Sequence, residues 1–270
     1  MTPVPSNGER SVDVIEQGAG RATVLLHSSA SGARQWQALT AALKDRRHVI
    51  APNFMGYGDT SPWSAPRAQT IRDQAKMVLG VLKDIEGPID LVGHSFGALI
   101  ALEVATLLGR RAGRLVMHEP NPFALLNRPG CEGPWAQAQA LHARVKAHGM
   151  RGDWLGAAAR FADFFSGPGA WAAMPEERRD ALAASLLPNL HEWDAVMDPC
   201  LRLDRWEMLS APALLVRARD TAAPLHSLVE ILLGAYPSWR GEIIPRGGHM
   251  APLTRPRVFN ALAIAFLDET

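Results

Sequence analysis

The sequence predicts an α/β protein: one mostly parallel sheet, helices on both of its faces, and an all-helical insertion. Three observations predict it. Short β-branched runs alternate with segments of helical period through the first 119 residues. Strand-like runs are then missing from 120–205, where Gly and Pro punctuate amphipathic segments. Strand and helix signals alternate again from 206 to the end. Continuous apolar strands separated by amphipathic helices mean a parallel sheet buried on both sides.

The elements follow in order. Strands are expected at 12–15, 23–26, 48–51 and 89–92, with 115–117 continuing the series. Residues 35–43 carry one helical pattern, and Ile71, Ala75, Val78, Leu79, Leu82 and Ile85 form the apolar stripe of a second. The insertion offers helices at 135–148, 154–165 and 176–187. Strands at 213–216 and 241–244 and helices at 225–233 and 258–267 complete the pattern. The expected organisation is a core of 1–119 and 206–270 with a helical cap of 120–205.

Of the 270 residues, 47% are apolar and 20% charged, which excludes an unstructured chain. The 28 Lys and Arg against 27 Asp and Glu leave a net charge of +1. No overall field draws such a chain to nucleic acid or anionic lipid. Cys131 and Cys200 are too few for a disulfide framework and lack metal-site spacing. The longest apolar stretch, 91–102, falls short of the roughly 20 residues that span a bilayer. No basic start followed by an apolar segment opens the chain. The expectation is a cytoplasmic protein with a small-molecule partner, no nucleic acid, no membrane span, and an oligomeric state left open.

The sharpest signal is Gly93-His94-Ser95-Phe96-Gly97, set between an apolar strand and a helix carrying Leu99 and Leu102. Gly-x-Ser-x-Gly in that setting is a nucleophile elbow. Gly93 and Gly97 must lack side chains for the turn to close, which lifts Ser95 above the sheet edge. A serine hydroxyl needs a base to attack at neutral pH. His249, in a glycine-bearing loop between the last strand and the last helix, is the candidate. The base needs an orienting acid. Asp220 follows the strand at 213–216 and gives the chain order Ser, Asp, His; Glu119, at the end of the preceding strand, is the rival. Backbone N–H groups of Phe96 and Ser29 are the expected oxyanion donors. His27 reads as a structural residue of the turn that holds Ser29, and His94 as pointing away from Ser95.

At these residues the chain resembles the α/β-hydrolase superfamily. Leu25-Leu26-His27 is similar to its oxyanion-turn strand, and Pro52-Asn53-Phe54-Met55-Gly56-Tyr57-Gly58-Asp59-Thr60 to its Pro-Asp-x-x-Gly-x-Gly-x-Ser loop. The elbow and the Asp220, Pro224 and His249 landmarks follow in order. Ser28, Asn53 and Arg217 stand where the family usually has Gly, Asp and Gly. The resemblance implies an eight-stranded, mostly parallel sheet, a cap inserted between the sixth and seventh strands, and a Ser-His-acid triad that hydrolyses without cofactor or metal. The expected activity is that of a carboxylesterase-like enzyme on a small, moderately apolar ester or lactone. Hydrolysis of a C–C bond beside a ketone is the alternative, with a non-catalytic receptor or a lyase behind it.

Overall fold

A computed structural model describes residues 11–269. Seven strands form one sheet: β1 (Val14–Gln17), β2 (Arg21–Leu26), β3 (Arg47–Pro52), β4 (Ile89–His94), β5 (Ala112–His118), β6 (Ala213–Ala218) and β7 (Arg240–Ile244). Their order is β1-β3-β2-β4-β5-β6-β7. β1 pairs antiparallel with β3, and every other pairing is parallel. The eight strands implied by the resemblance are thus seven among the described residues, matching the seven β-branched runs in the sequence.

Helices α1 (Gln37–Leu43), α2 (Ile71–Val81) and α3 (Phe96–Leu108) fall within the first half. Between β5 and β6 the chain runs through α4 (Glu132–Gly149), α5 (Trp154–Ser166), α6 (Ala170–Ala173), α7 (Glu176–Ala184) and α8 (Asn189–Val196). After β6 come α9 (Ala223–Ala235), α10 (Ala251–Thr254) and α11 (Pro256–Leu267).

Period-two alternation divides the strands between two cores. Val24, Leu26, Leu91, Leu115, Met117 and Leu215 face a core built with α2, α3, α9 and the helices after β5. Leu25, Val49, Val92, Val116 and Leu214 face a second core with Trp36, Leu39, Phe259 and Phe266 of the opposite layer. α3 lies deepest, with residues 96–105 all buried, so its sequence is apolar on all sides. α2 is amphipathic, and its start is fixed by Asp73, whose Oδ2 accepts the Thr70 amide at 2.9 Å and hydroxyl at 2.7 Å.

The amino ends of the strands are fastened by charge. Buried Arg47 donates to Asp90 at 2.7 Å, Thr23 at 3.2 Å, the Leu267 carbonyl at 2.6 Å and Asp268 at 3.0 Å. Arg21 adds a 2.5 Å bond to the other Asp90 oxygen. Farther on, Arg205 grips the buried Glu103 of α3 through two bonds of 2.8 and 2.6 Å, anchoring the chain as it returns to the sheet.

Candidate active site

The site lies at the carboxyl ends of β4 and β5. Ser95 leaves β4 with φ 57° and ψ −119°, a strained conformation for a residue with a side chain. Packing around the turn enforces it. A Cβ on Gly93 would come within 2.4 Å of the Gly97 carbonyl oxygen, and one on Gly97 within 2.2 Å of the Leu26 oxygen. Ser95 N–H donates to the His118 carbonyl at 2.8 Å, locking the turn to the neighbouring strand.

Ser95 Oγ lies 2.8 Å from His249 Nε2. On the far side of the ring, His249 Nδ1 lies 2.7 Å from Glu119 Oε2. Glu119 is fully buried and multiply bonded: Ala218 N–H donates to Oε1 and the Thr221 hydroxyl to Oε2, both at 2.8 Å. A carboxylate holding Nδ1–H leaves Nε2 free to accept the serine proton. Burial pushes the His249 imidazole down to about 3, so it rests neutral.

Asp220, the first candidate for the acid, is not at the histidine. It is exposed, and its carboxylate accepts the Gly248 amide at 2.9 Å and the Gly247 amide at 3.2 Å. It holds the loop that carries His249, while Glu119 takes the place beside Nδ1. The physical reason is the sheet. β6 pairs with β5, so Glu119 steps off beneath the His249 loop while the turn after β6 carries Asp220 outward.

His94 points away from Ser95, as its place in the elbow predicts. Its Nε2–H donates to the His249 carbonyl at 2.8 Å, and its Nδ1 accepts from Gln35 Nε2 at 3.1 Å. Gln35 Oε1 in turn accepts the Ser28 amide at 3.1 Å and hydroxyl at 2.9 Å. One hydrogen-bonded chain therefore runs from the turn after β2 to the backbone of His249, and Ser28 occupies the family's usual glycine position as part of it. Gln35 carries no motif that would announce this. His27 is structural: Nδ1–H donates to the Ser28 carbonyl at 2.8 Å, and Nε2 accepts the Phe54 amide at 3.0 Å.

Ser95 opens into a narrow cavity of about 10 Å³ lined by Ser29, Asn121, Phe161, Phe165, Asn189, Glu192, Trp193 and Val196. Phe165 lays its ring 4.9 Å from that of His249. Phe96, in the elbow, opens α3, where the first helical amides have no intrahelical acceptor. Sequence reasoning missed Asn121, Asn189 and Glu192. A signal exists: Asn189, Glu192, Trp193 and Val196 recur at i, i+3, i+4 and i+7, one helix face that mixes polar with apolar residues. Among the described residues, no group of three or more His, Cys, Asp or Glu could hold a metal ion, and no helix is long and apolar enough to cross a membrane.

Residues 23–262 match the model of the alpha/beta hydrolase family, and the chain belongs to that family. It is 25% identical over 258 residues to the biotin biosynthesis bifunctional protein BioHC of Teredinibacter turnerae, covering 91% of this chain but 44% of that one. A putative carbamate hydrolase RutD of Azorhizobium caulinodans is 25% identical over 280 residues, covering 99% and 98% of the two chains. A hydrolase structure from Pseudomonas aeruginosa superposes with a TM-score of 0.79 at 20% identity, covering 99% of this chain and 98% of that one, which is a likeness of fold.

Proposed function

We propose that the protein is a serine hydrolase cleaving a small carboxylic ester or lactone through an acyl-enzyme on Ser95. One observation carries the reading: the unbroken series Ser95 Oγ, His249, Glu119 at 2.8 and 2.7 Å, opening into a cavity. Ser95 Oγ attacks the carbonyl carbon as its proton passes to His249 Nε2. Glu119 orients the ring and balances the imidazolium that forms. The amides of Phe96 and Ser29 receive the oxyanion, where each such donor contributes about 3 kcal/mol. His249 then returns the proton to the leaving alcohol. Water repeats the sequence on the acyl-enzyme and releases the acid. Residues 120–205 act as a cap, a role supported by Phe161, Phe165, Glu192 and Trp193, which reach the cavity from α5 and α8.

Intact mass after treatment with a fluorophosphonate tests the reading. One adduct on the wild type and none on Ser95→Ala is the expected result. No adduct on folded wild type, or an adduct that persists in Ser95→Ala, would sink it.

A further inference from the structure

The wall of the Ser95 cavity is not the uniformly apolar surface that an alkyl ester pocket would need. Four buried polar atoms on residues lining it have no hydrogen-bond partner: Asn121 Oδ1, Asn189 Oδ1, Glu192 Oε1 and Trp193 Nε1. Glu192, Asn189 and Trp193 are each under 4% exposed, and Asn121 is 5% exposed. Native proteins rarely leave such atoms unpaired, because each has lost its water without a replacement. The other Glu192 oxygen is held by Asn189 Nδ2 at 2.8 Å, so the carboxyl is fixed in place with one oxygen uncommitted. Phe161, Phe165 and Val196 supply an apolar surface to the same cavity.

We infer that this cavity selects a short acyl group bearing a hydroxyl, with Glu192 and Asn189 as the residues that recognise it; the inference rests on the serine hydrolase reading above. The donor and acceptor pattern disfavours a charged group. Three of the orphaned atoms are oxygens and one is an indole N–H. A carboxylate has no proton to give the oxygens. An ammonium has no lone pair for Trp193 Nε1. A hydroxyl gives one proton and offers two lone pairs, so it can meet both kinds. Burial pushes the Glu192 carboxyl up, against the Ser29, Asn189 and Tyr57 groups that favour its charge. A hydroxyl bonds the carboxyl in either state. The narrow cavity favours a short acyl chain, and its skeleton lies on Phe161, Phe165 and Val196.

Methyl butyrate and both enantiomers of methyl 2-hydroxybutyrate and methyl 3-hydroxybutyrate test the inference, with acid release followed in the wild type, Glu192→Leu, Glu192→Gln and Asn189→Leu. At least one hydroxylated ester should exceed butyrate in kcat/KM by about 30-fold or more, since a polar site rejects an analogue that lacks the matching group. That ratio should fall toward one in Glu192→Leu and Asn189→Leu, and Glu192→Gln, which keeps an oxygen there, should retain part of it. Fluorophosphonate uptake checks that each variant folds; should Glu192→Leu fail this, Glu192→Gln and Asn189→Leu carry the comparison. A wild type that cleaves butyrate as well as every hydroxylated ester would overturn the inference. So would a preference that survives in the folded variants. Hydrolysis of none of the esters by a wild type whose Ser95 is labelled would overturn it while leaving the nucleophile in place; an unlabelled Ser95 would remove both readings.

Discussion

Ser95 and Glu119 take the same step off adjacent strands. Each is the first residue beyond its strand, each holds a positive φ, 57° and 45°, and the pairing of His94 with His118 sets them side by side. Two non-glycine residues in that region cost about 1–3 kcal/mol each. Both are fixed by backbone bonds to the next strand, Ser95 N–H to the His118 carbonyl at 2.8 Å and Glu119 N–H to the Val216 carbonyl at 3.1 Å.

The pairing ranks the two acidic residues. Glu119→Gln should lower kcat by about 10³-fold or more, because an amide no longer fixes the tautomer or balances the imidazolium. Asp220→Asn should lower it by about tenfold or less, since it only loosens the loop bonds to Gly247 and Gly248. Steady-state rates on 4-nitrophenyl acetate decide it, and the reverse ranking would return the role to Asp220.

Acid should destabilise the protein well before its carboxylates titrate. Burial pushes His27 down to about 4, His118 and His249 to about 3, and His94 well below its ordinary value. The unfolded chain takes up these protons near pH 6.5, whereas the folded chain refuses them until far lower. Their contribution is therefore complete above pH 6.5 and lost as pH falls from there toward 4, at up to about 1.4 kcal/mol per pH unit for each histidine. His118 is fully buried and held only loosely, its Nε2 lying 3.9 Å from Glu119 Oε1. His118→Leu should raise stability near pH 5 and flatten the slope, as read from urea midpoints between pH 7 and 5. An unchanged slope would count against this account.

The elbow glycines and a surface glycine should respond oppositely to alanine. In Gly97→Ala the new Cβ meets the Leu26 and His27 carbonyl oxygens at 2.2 and 2.3 Å, so the main chain must move, at about 3 kcal/mol or more. Gly80, exposed near the end of α2, has nothing within 4 Å of such a Cβ. Gly80→Ala should stabilise by about 0.5 kcal/mol. Thermal melts of the pair measure both signs.

Phe165 divides the Ser95 cavity from an outer cleft bounded by Pro168, Asp220, Arg246 and Arg255, since its ring lines both. Phe165→Ala should join the two spaces. The kcat/KM ratio of 4-nitrophenyl octanoate to acetate should then rise about tenfold, within the range that pocket methylenes command. A ratio that stays constant would place the chain-length limit elsewhere.

Much of this is legible in the sequence, for physical reasons. The strands announced themselves because a sheet buried on both faces needs continuous apolar runs, and Ser95 because only glycines fit around its turn. His249 followed from a loop between the last strand and the last helix. The acid was harder. Chain order favours Asp220, but which turn reaches the histidine depends on strand pairing, and that pairing is not local. Glu119 stood in the sequence as the rival because it ends the preceding strand. Gln35 and Glu192 were hidden more deeply, because a polar residue at a helical position reads as solvent-facing until its neighbours are known.

The charged fastening around Arg47 and Asp90 joins β2, β3, β4 and the end of α11 near the amino ends of the strands, while Ser95, Glu119 and His249 meet at the carboxyl ends. Among the described residues, the two ends share strands but no direct side-chain bond. A combinatorial library confined to α5 and α8 would therefore explore new substrates on a scaffold whose closure is secured elsewhere. The positions to hold constant in such a library are Arg47 and Asp90, at the opposite end of the strands from Ser95.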